Sequence, residues 1–223
     1  MVNPSHAPAV HTASTDPRTF AFWWARSASF LAIMPLGIWT FLHLWNNLYA
    51  FRGAQAWQAQ MTTYSHPVAE AFNLIVVFLP LVIHTIWGVQ RLASSRPNSY
   101  PTYGNLKYVL QRITGAGALL FLVAHIWKAF LSPHLIEHQP EQFADFAQTM
   151  HDHLPTLGVY LAGTLGIAFH LANGISGFCW TWGLVAGRTS VARVDTLALV
   201  LFLILLGMAW AVIYALWSAG AHP

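Results

Sequence analysis

Charged residues are scarce in this sequence. Lys, Arg, Asp and Glu together make up 8% of the 223 residues, whereas about a quarter of the residues in soluble globular domains are charged. Apolar residues account for 56% of the chain, and tryptophan occurs 11 times. The composition excludes an ordinary soluble domain and predicts an integral membrane protein. The formal net charge is only +3, and the basic residues are scattered rather than gathered in a stripe, so we expect no nucleic-acid partner.

Cysteine is almost absent, because Cys179 is the only one in the chain. A single cysteine excludes a disulfide framework, an iron–sulfur cluster held by this chain alone and the C-x-x-C-H attachment of a c-type haem. An apolar signal-peptide core is also missing from the polar, proline-rich N-terminus. We therefore predict that residues 1–25 form a mostly disordered cytoplasmic tail and are not a signal peptide.

Long apolar windows fill the rest of the chain, and a spanning helix needs about 20 such residues. They predict an all-α membrane domain over residues 26–219 with five transmembrane helices, at about 27–51, 68–91, 109–131, 155–186 and 194–218. Most basic residues lie at the N-terminus and in the loops after the second and fourth helices, which predicts a cytoplasmic N-terminus and an outer C-terminus. In the outer loop before the fourth helix, the helical spacing of Phe143, Phe146, Ala147 and Met150 predicts a short interfacial helix.

Four histidines lie within these windows, one in each of the first four helices: His43, His84, His125 and His170. Ionisable side chains in the membrane are costly and usually functional. Counting from the charged helix ends at about 1.5 Å per residue places His43 and His125 in the outer half and His84 in the inner half. His170 lies near the middle and pairs with His84 by elimination. Two pairs at two depths predict two stacked haems, each held by two imidazoles.

Glycines support this interpretation over a small ion. Gly163, Gly166, Gly174 and Gly177 fall on the same helix face as His170, which favours a large flat group against that face; close helix packing is the alternative. Zinc in a helix typically uses histidines four residues apart, and no helix here has that pair. Two alternatives stay open: histidines that only bond neighbouring helices, and a histidine-lined transporter of metal or protons.

Distinctive stretches occur at these histidines. They are MPLGIWTFLHLWNNLYAF (34–51), FLPLVIHTIWGV (78–89), LQRITGAGALLFLVAHIW (110–127) and FHLANGISGFCWTWG (169–183). In these stretches the chain resembles the cytochrome b subunit of succinate dehydrogenase and fumarate reductase, in the single-chain, five-helix, two-haem form. The resemblance implies that His43 and His125 bind an outer, low-potential haem and that His84 and His170 bind an inner, high-potential one.

The resemblance also implies a membrane anchor that carries electrons between an iron–sulfur subunit and quinone, beside a flavoprotein subunit that holds FAD and handles the dicarboxylate. This would be a multi-pass protein of a prokaryotic inner membrane, with menaquinone or ubiquinone as substrate and no catalytic residue for the dicarboxylate in this chain. A dihaem subunit of another quinone oxidoreductase is the second possibility.

Arg112 is a candidate for pairing with haem propionates or for a positive-inside anchor. Candidates for the quinone site, each with an ordinary helix-end role as the alternative, are His66, Glu70, Asn46 and Asn47.

Overall fold

The computed structural model of the chain describes residues 17–62, 71–94 and 103–221. Every regular element within these ranges is helical, and five helices are long and apolar enough to cross a membrane. This confirms the all-α class and the five spans. Spans one to five run over Arg18–Arg52, Ala71–Ala93, Asn105–Glu137, Leu154–Thr181 and Arg188–Gly220.

Several spans are built from more than one helical segment. The α-helices are α1 (Pro17–Leu31), α2 (Ile38–Asn47), α3 (Ala54–Thr62), α4 (Leu79–Ala93), α5 (Tyr103–Ile126), α6 (Phe143–Asp152), α7 (Leu154–Thr181) and α8 (Arg188–Gly220). Wider π-helical turns join or extend them at Ala32–Gly37, Leu74–Phe78, Trp127–Leu131 and Pro133–Glu137. The first of these contains Pro35, which has no N–H to donate to the preceding turn.

The first span begins earlier than the sequence predicts. We expected a disordered tail up to residue 25, but α1 starts at Pro17, so residues 17–25 are helical. Arg26 does not end the helix, because its guanidinium lies 4.4 Å from the centroid of the Phe22 ring and donates to the Thr181 carbonyl at 2.8 Å. Aromatic contacts and a hydrogen bond thus let a charged residue continue an apolar helix.

Span four is central to the packing, because its most extensive contacts are with spans three and five, while α1 packs against α4. Large apolar side chains elsewhere point outward, as with Leu120, which is 74% exposed. Such an apolar outer surface suits lipid rather than water.

The two ends of the bundle differ. At one end, here called the basic end, Arg26 reaches Thr181, Arg112 bonds the Arg91 carbonyl, and Lys107 pairs with Asp195 at 2.8 Å. The opposite end is the capped end, because the short helices α3 and α6 cover it. Basic side chains thus mark one end of the bundle, and two short helices cover the other.

The cap contains a cluster of buried apolar side chains. Trp57 of α3 is 3% exposed and packs against Phe143 and Phe146 of α6, whose Met150 is fully buried. The short helix predicted from its apolar spacing is confirmed as α6. Its apolar face packs on α3 and span five, which corrects the expectation that this face would lie in the membrane interface.

Candidate functional site: two histidine pairs

The four intramembrane histidines meet as two pairs. The imidazoles of His43 and His125, from spans one and three, have ring centroids 5.9 Å apart. Those of His84 and His170, from spans two and four, are 6.2 Å apart. We call these the capped-end pair and the basic-end pair, because the first lies beside the cap and the second beside Gln111 and Arg112. Helix depth predicts the first pairing and elimination the second; that either pair binds haem stays a prediction.

Both imidazoles of the basic-end pair are oriented by main-chain carbonyls. His84 Nδ1 lies 3.2 Å from the carbonyl oxygen of Ala28, and His170 Nδ1 lies 3.1 Å from that of Gln111. A carbonyl only accepts, so Nδ1 carries the proton in each ring and Nε2 keeps its lone pair. Metal-binding histidines usually donate their other ring N–H in this way. Each ring can therefore present Nε2 to an iron ion.

Gln111 holds the His170 segment from a second direction. Its Nε2 donates to the His170 carbonyl at 3.0 Å, and its Oε1 accepts from Asn173 Nδ2 at 2.8 Å. The side chains of the QRITG and FHLANG stretches therefore bond each other across spans three and four. Sequence analysis did not single out Gln111 or Asn173, although a polar amide inside an apolar helix is a signal for such a bond.

Aromatic rings surround the capped-end pair. The Trp39 ring stacks on the His43 ring with centroids 4.6 Å apart, and the Phe121 ring stacks on the His125 ring with centroids 5.4 Å apart. In each case the two residues lie one turn apart on the same helix. His125 Nδ1 lies 3.2 Å from the hydroxyl oxygen of Tyr160 in span four. Tyr160 is a further residue that sequence analysis missed.

Asn47 connects His43 to the cap. Its Oδ1 accepts from Trp57 Nε1 at 3.1 Å, and its Nδ2 donates to the His43 carbonyl at 2.9 Å while lying 3.5 Å from His43 Nε2. The last distance is at the outer limit of hydrogen bonding, so it does not fix the ring as firmly as the Nδ1 bonds fix the others. These contacts support the structural alternative for Asn47.

The other predicted site residues are placed less specifically. Asn46 lies half-buried beside Asn47. Arg112 lies at the basic end, where it donates to the Arg91 carbonyl and, at 3.1 Å, to the Tyr108 hydroxyl. The first of these bonds joins span three to the end of span two. His66 and Glu70 lie outside the described residues, so their quinone roles stay predictions.

Three glycines of the span-four stripe face residues of span three. A Cβ atom added to Gly163 would lie 2.8 Å from Phe121 Cβ, while one on Gly166 would lie 3.8 Å from the Thr114 carbonyl. Gly174 likewise faces Gln111 Nε2 at 3.5 Å. Gly163 thus allows span four to approach span three closely, whereas a Cβ atom at Gly166 or Gly174 would make only ordinary contacts. This supports close helix packing at Gly163, and the flat ligand against the stripe stays a prediction.

Charges at the capped end lie in and beside α6. Burial raises the pKa of Glu141 above its usual range, whereas a hydrogen bond with His151 lowers the pKa of Asp152. Lys128 lies 5.4 Å from the centroid of the Phe146 ring. The acidic residues of this loop thus lie at the end of the bundle opposite Arg26, Arg91 and Arg112.

Each histidine pair has the dimensions of an axial ligand set. An imidazole nitrogen binds a metal such as zinc at about 2.0 Å, so two imidazoles on opposite sides of one ion have centroids about 6 Å apart. In the part of the chain that the structure describes, no three or more His, Cys, Asp or Glu side chains converge to hold a metal ion. Two ligands suit haem iron, whose other ligands come from the macrocycle, better than zinc, which needs three or four from the protein.

A comparison with known proteins finds a relative in the family that the sequence resembles. No family model matches the chain. The chain is 31% identical over 187 residues to the succinate dehydrogenase cytochrome b558 subunit of Bacillus subtilis (strain 168), and the match covers 82% of this chain and 91% of that protein. Identity at this level over most of both chains, together with five spans, shows that the protein belongs to the family of succinate dehydrogenase cytochrome b558 subunits.

Proposed function

We propose that the protein is the dihaem cytochrome b membrane anchor of a succinate:quinone oxidoreductase or fumarate reductase. The observation that carries the proposal is the pairing of four histidines from four spans, each pair with ring centroids about 6 Å apart. His43 and His125 hold one b-type haem, and His84 and His170 hold the other. When bound, these haems supply one-electron transfer between an iron–sulfur subunit and a membrane quinone.

The residues around the histidines prepare the rings for this role. The Ala28 and Gln111 carbonyls and the Tyr160 hydroxyl lie next to Nδ1 of His84, His170 and His125. Bonds at Nδ1 fix the rotation of each ring and leave Nε2 for iron. Stacked Trp39 and Phe121 restrict the rotation of the capped-end rings. The chain thus supplies ligands and their orientation, while dicarboxylate chemistry belongs to the flavoprotein partner.

The ends of the bundle support an orientation and a set of partners. Arg26, Arg91, Lys107 and Arg112 share the basic end, which the positive-inside rule assigns to the cytoplasm of a prokaryotic cell. An iron–sulfur subunit and a flavoprotein with FAD bind at this end, beside the His84–His170 pair. Menaquinone or ubiquinone reacts near the capped end. Asn46, Asn47, His66 and Glu70 remain the candidates for the quinone site. Arg112 remains the candidate for pairing with the haem propionates.

Single histidine replacements in the complex, purified with its soluble subunits, test the ligand assignment. We expect His84→Ala and His170→Ala to remove one b-type component from the reduced-minus-oxidised spectrum, and His43→Ala and His125→Ala to remove the other. The component that is retained in each variant shows that the bundle still folds. His134→Ala is the matched control, because His134 is an exposed histidine whose Nδ1 hydrogen-bonds the Phe130 carbonyl in its own helix turn. Loss of the same component from the His84 and His43 variants would show that the pairing is wrong.

A further inference from the structure

The two pairs differ in the group that holds the imidazole Nδ1. At the basic-end pair both partners are main-chain carbonyls, those of Ala28 and Gln111. At the capped-end pair the partner of His125 is a side chain, the hydroxyl of Tyr160 at 3.2 Å. A backbone carbonyl cannot be removed by substitution, but a hydroxyl can. His125 is thus the one histidine of these three whose Nδ1 partner is set by the identity of a side chain.

The surroundings of Tyr160 hold this hydroxyl in place. The residue is 8% exposed, and its ring lies edge-on to Phe121, with centroids 5.3 Å apart and planes at 88°. The Tyr160 ring also lies edge-on to the His125 ring, with centroids 5.7 Å apart and planes at 72°. A buried phenol oxygen usually has a hydrogen-bond partner, and His125 Nδ1 lies within hydrogen-bond distance of it at 3.2 Å. The contacts of the Tyr160 ring with Phe121 and His125 do not involve the hydroxyl, so they remain when the hydroxyl is removed.

The direction of the hydrogen bond follows from the ligand role. If His125 binds iron through Nε2, its Nδ1 carries the proton and the Tyr160 oxygen accepts it. An acceptor at the second nitrogen makes the imidazole a stronger electron donor to the metal. A stronger donor stabilises the oxidised iron relative to the reduced iron, which lowers the midpoint potential.

We infer that Tyr160 is a positioning residue that lowers the midpoint potential of the haem held by His43 and His125, through the hydrogen bond that it accepts from His125 Nδ1. This inference rests on the proposed function, because it concerns a haem at the capped-end pair. It assigns Tyr160 to one of the two haems only, since the Nδ1 partners at the basic-end pair are carbonyls of Ala28 and Gln111.

The test is Tyr160→Phe in the purified complex with both haems. This substitution removes one oxygen atom and keeps the ring that packs on Phe121 and His125. In a stepwise redox titration followed by difference spectra, we expect the midpoint potential of the component assigned to His43 and His125 to rise, and that of the other component to stay unchanged. Tyr214→Phe is the matched control, because Tyr214 is 61% exposed, and it should change neither potential.

Three results would overturn the inference. They are an unchanged or lowered potential of the capped-end component, an equal shift of both components, and loss of the capped-end haem, which would mean that Tyr160 holds the site together rather than sets its potential. In each case two components in the unsubstituted complex would leave the proposed function intact. An unsubstituted complex without two b-type components would instead reject the proposed function itself.

Discussion

At the scale of single residues, Gln111 joins the two spans that meet at the basic-end pair. Its carbonyl lies 3.1 Å from His170 Nδ1, its amide nitrogen donates to the His170 carbonyl, and its amide oxygen accepts from Asn173. The two side-chain bonds hold span four at the height where His170 Nδ1 reaches the Gln111 carbonyl. Gln111 therefore orients His170 without itself being a ligand.

Replacement of Gln111 by Leu tests this role. The two side-chain bonds are lost, and interhelical bonds in membranes average about 0.6 kcal/mol, so we expect Gln111→Leu to lower the free energy of unfolding by about 1 kcal/mol. The basic-end haem should also be lost more readily than the capped-end haem during unfolding in detergent.

Gln90→Leu is the control for this prediction, because Gln90 is exposed at the same end and its side-chain oxygen accepts from Trp24 Nε1 at 3.2 Å. Equal loss of both haems from the Gln111 variant, or loss no greater than in the control, would contradict the orienting role.

Sequence could identify the four histidines but not the residues that hold them. An imidazole in an apolar helix is visible in any window, and its depth follows from counting to the nearest charge. Tyr160 and Gln111 act on a histidine 35 and 59 residues away in the chain. Such contacts depend on how each helix is rotated about its axis, which the spacing within one helix does not determine.

At the scale of helices, the contact of span four with span three depends on Gly163. Phe121 fills the space beside this glycine and stacks on His125. A methyl group at position 163 would overlap the Phe121 ring, which is 6% exposed and has little room to move. Close approach of these two spans and the orientation of His125 are therefore linked.

Gly163→Ala should consequently destabilise the protein by about 1–3 kcal/mol, the usual cost of overpacking a core, and weaken retention of the capped-end haem. Detergent unfolding followed by haem absorbance measures both effects. Gly158→Ala in the same helix is the control, because an added Cβ meets no atom within 4 Å, and it should leave stability unchanged or raise it by up to about 1 kcal/mol, since Ala favours a helix more than Gly does. Equal behaviour of the two variants would contradict the packing role of Gly163.

The glycine pattern also shows where a sequence pattern stops being informative. Periodicity correctly placed the glycines on the face of His170, but periodicity does not say what covers a face. Phe121, Thr114 and Gln111 cover most of it. The early start of span one at Arg18 escaped prediction for a related reason, because the Arg26 contacts with Phe22 and Thr181 form only in the folded protein.

At the scale of the whole molecule, the bundle is built asymmetrically. Its largest buried cluster joins α3, α6 and the end of span five over the His43–His125 pair, and includes Trp57, Phe146 and Met150. Side chains at the basic end are joined by hydrogen bonds and by the Lys107–Asp195 ion pair. The five spans themselves were predictable from composition, since hydropathy and length suffice; the cap was predictable only as one helix, because its partners come from distant segments.

A reduced-minus-oxidised spectrum of the complex, recorded during a stepwise redox titration after expression with adequate haem, decides whether each histidine pair holds a haem. Two histidine pairs at opposite ends of one bundle predict two low-spin b-type components with separate midpoint potentials. A haem-free protein, or a single component, would contradict the proposal that each pair holds a haem.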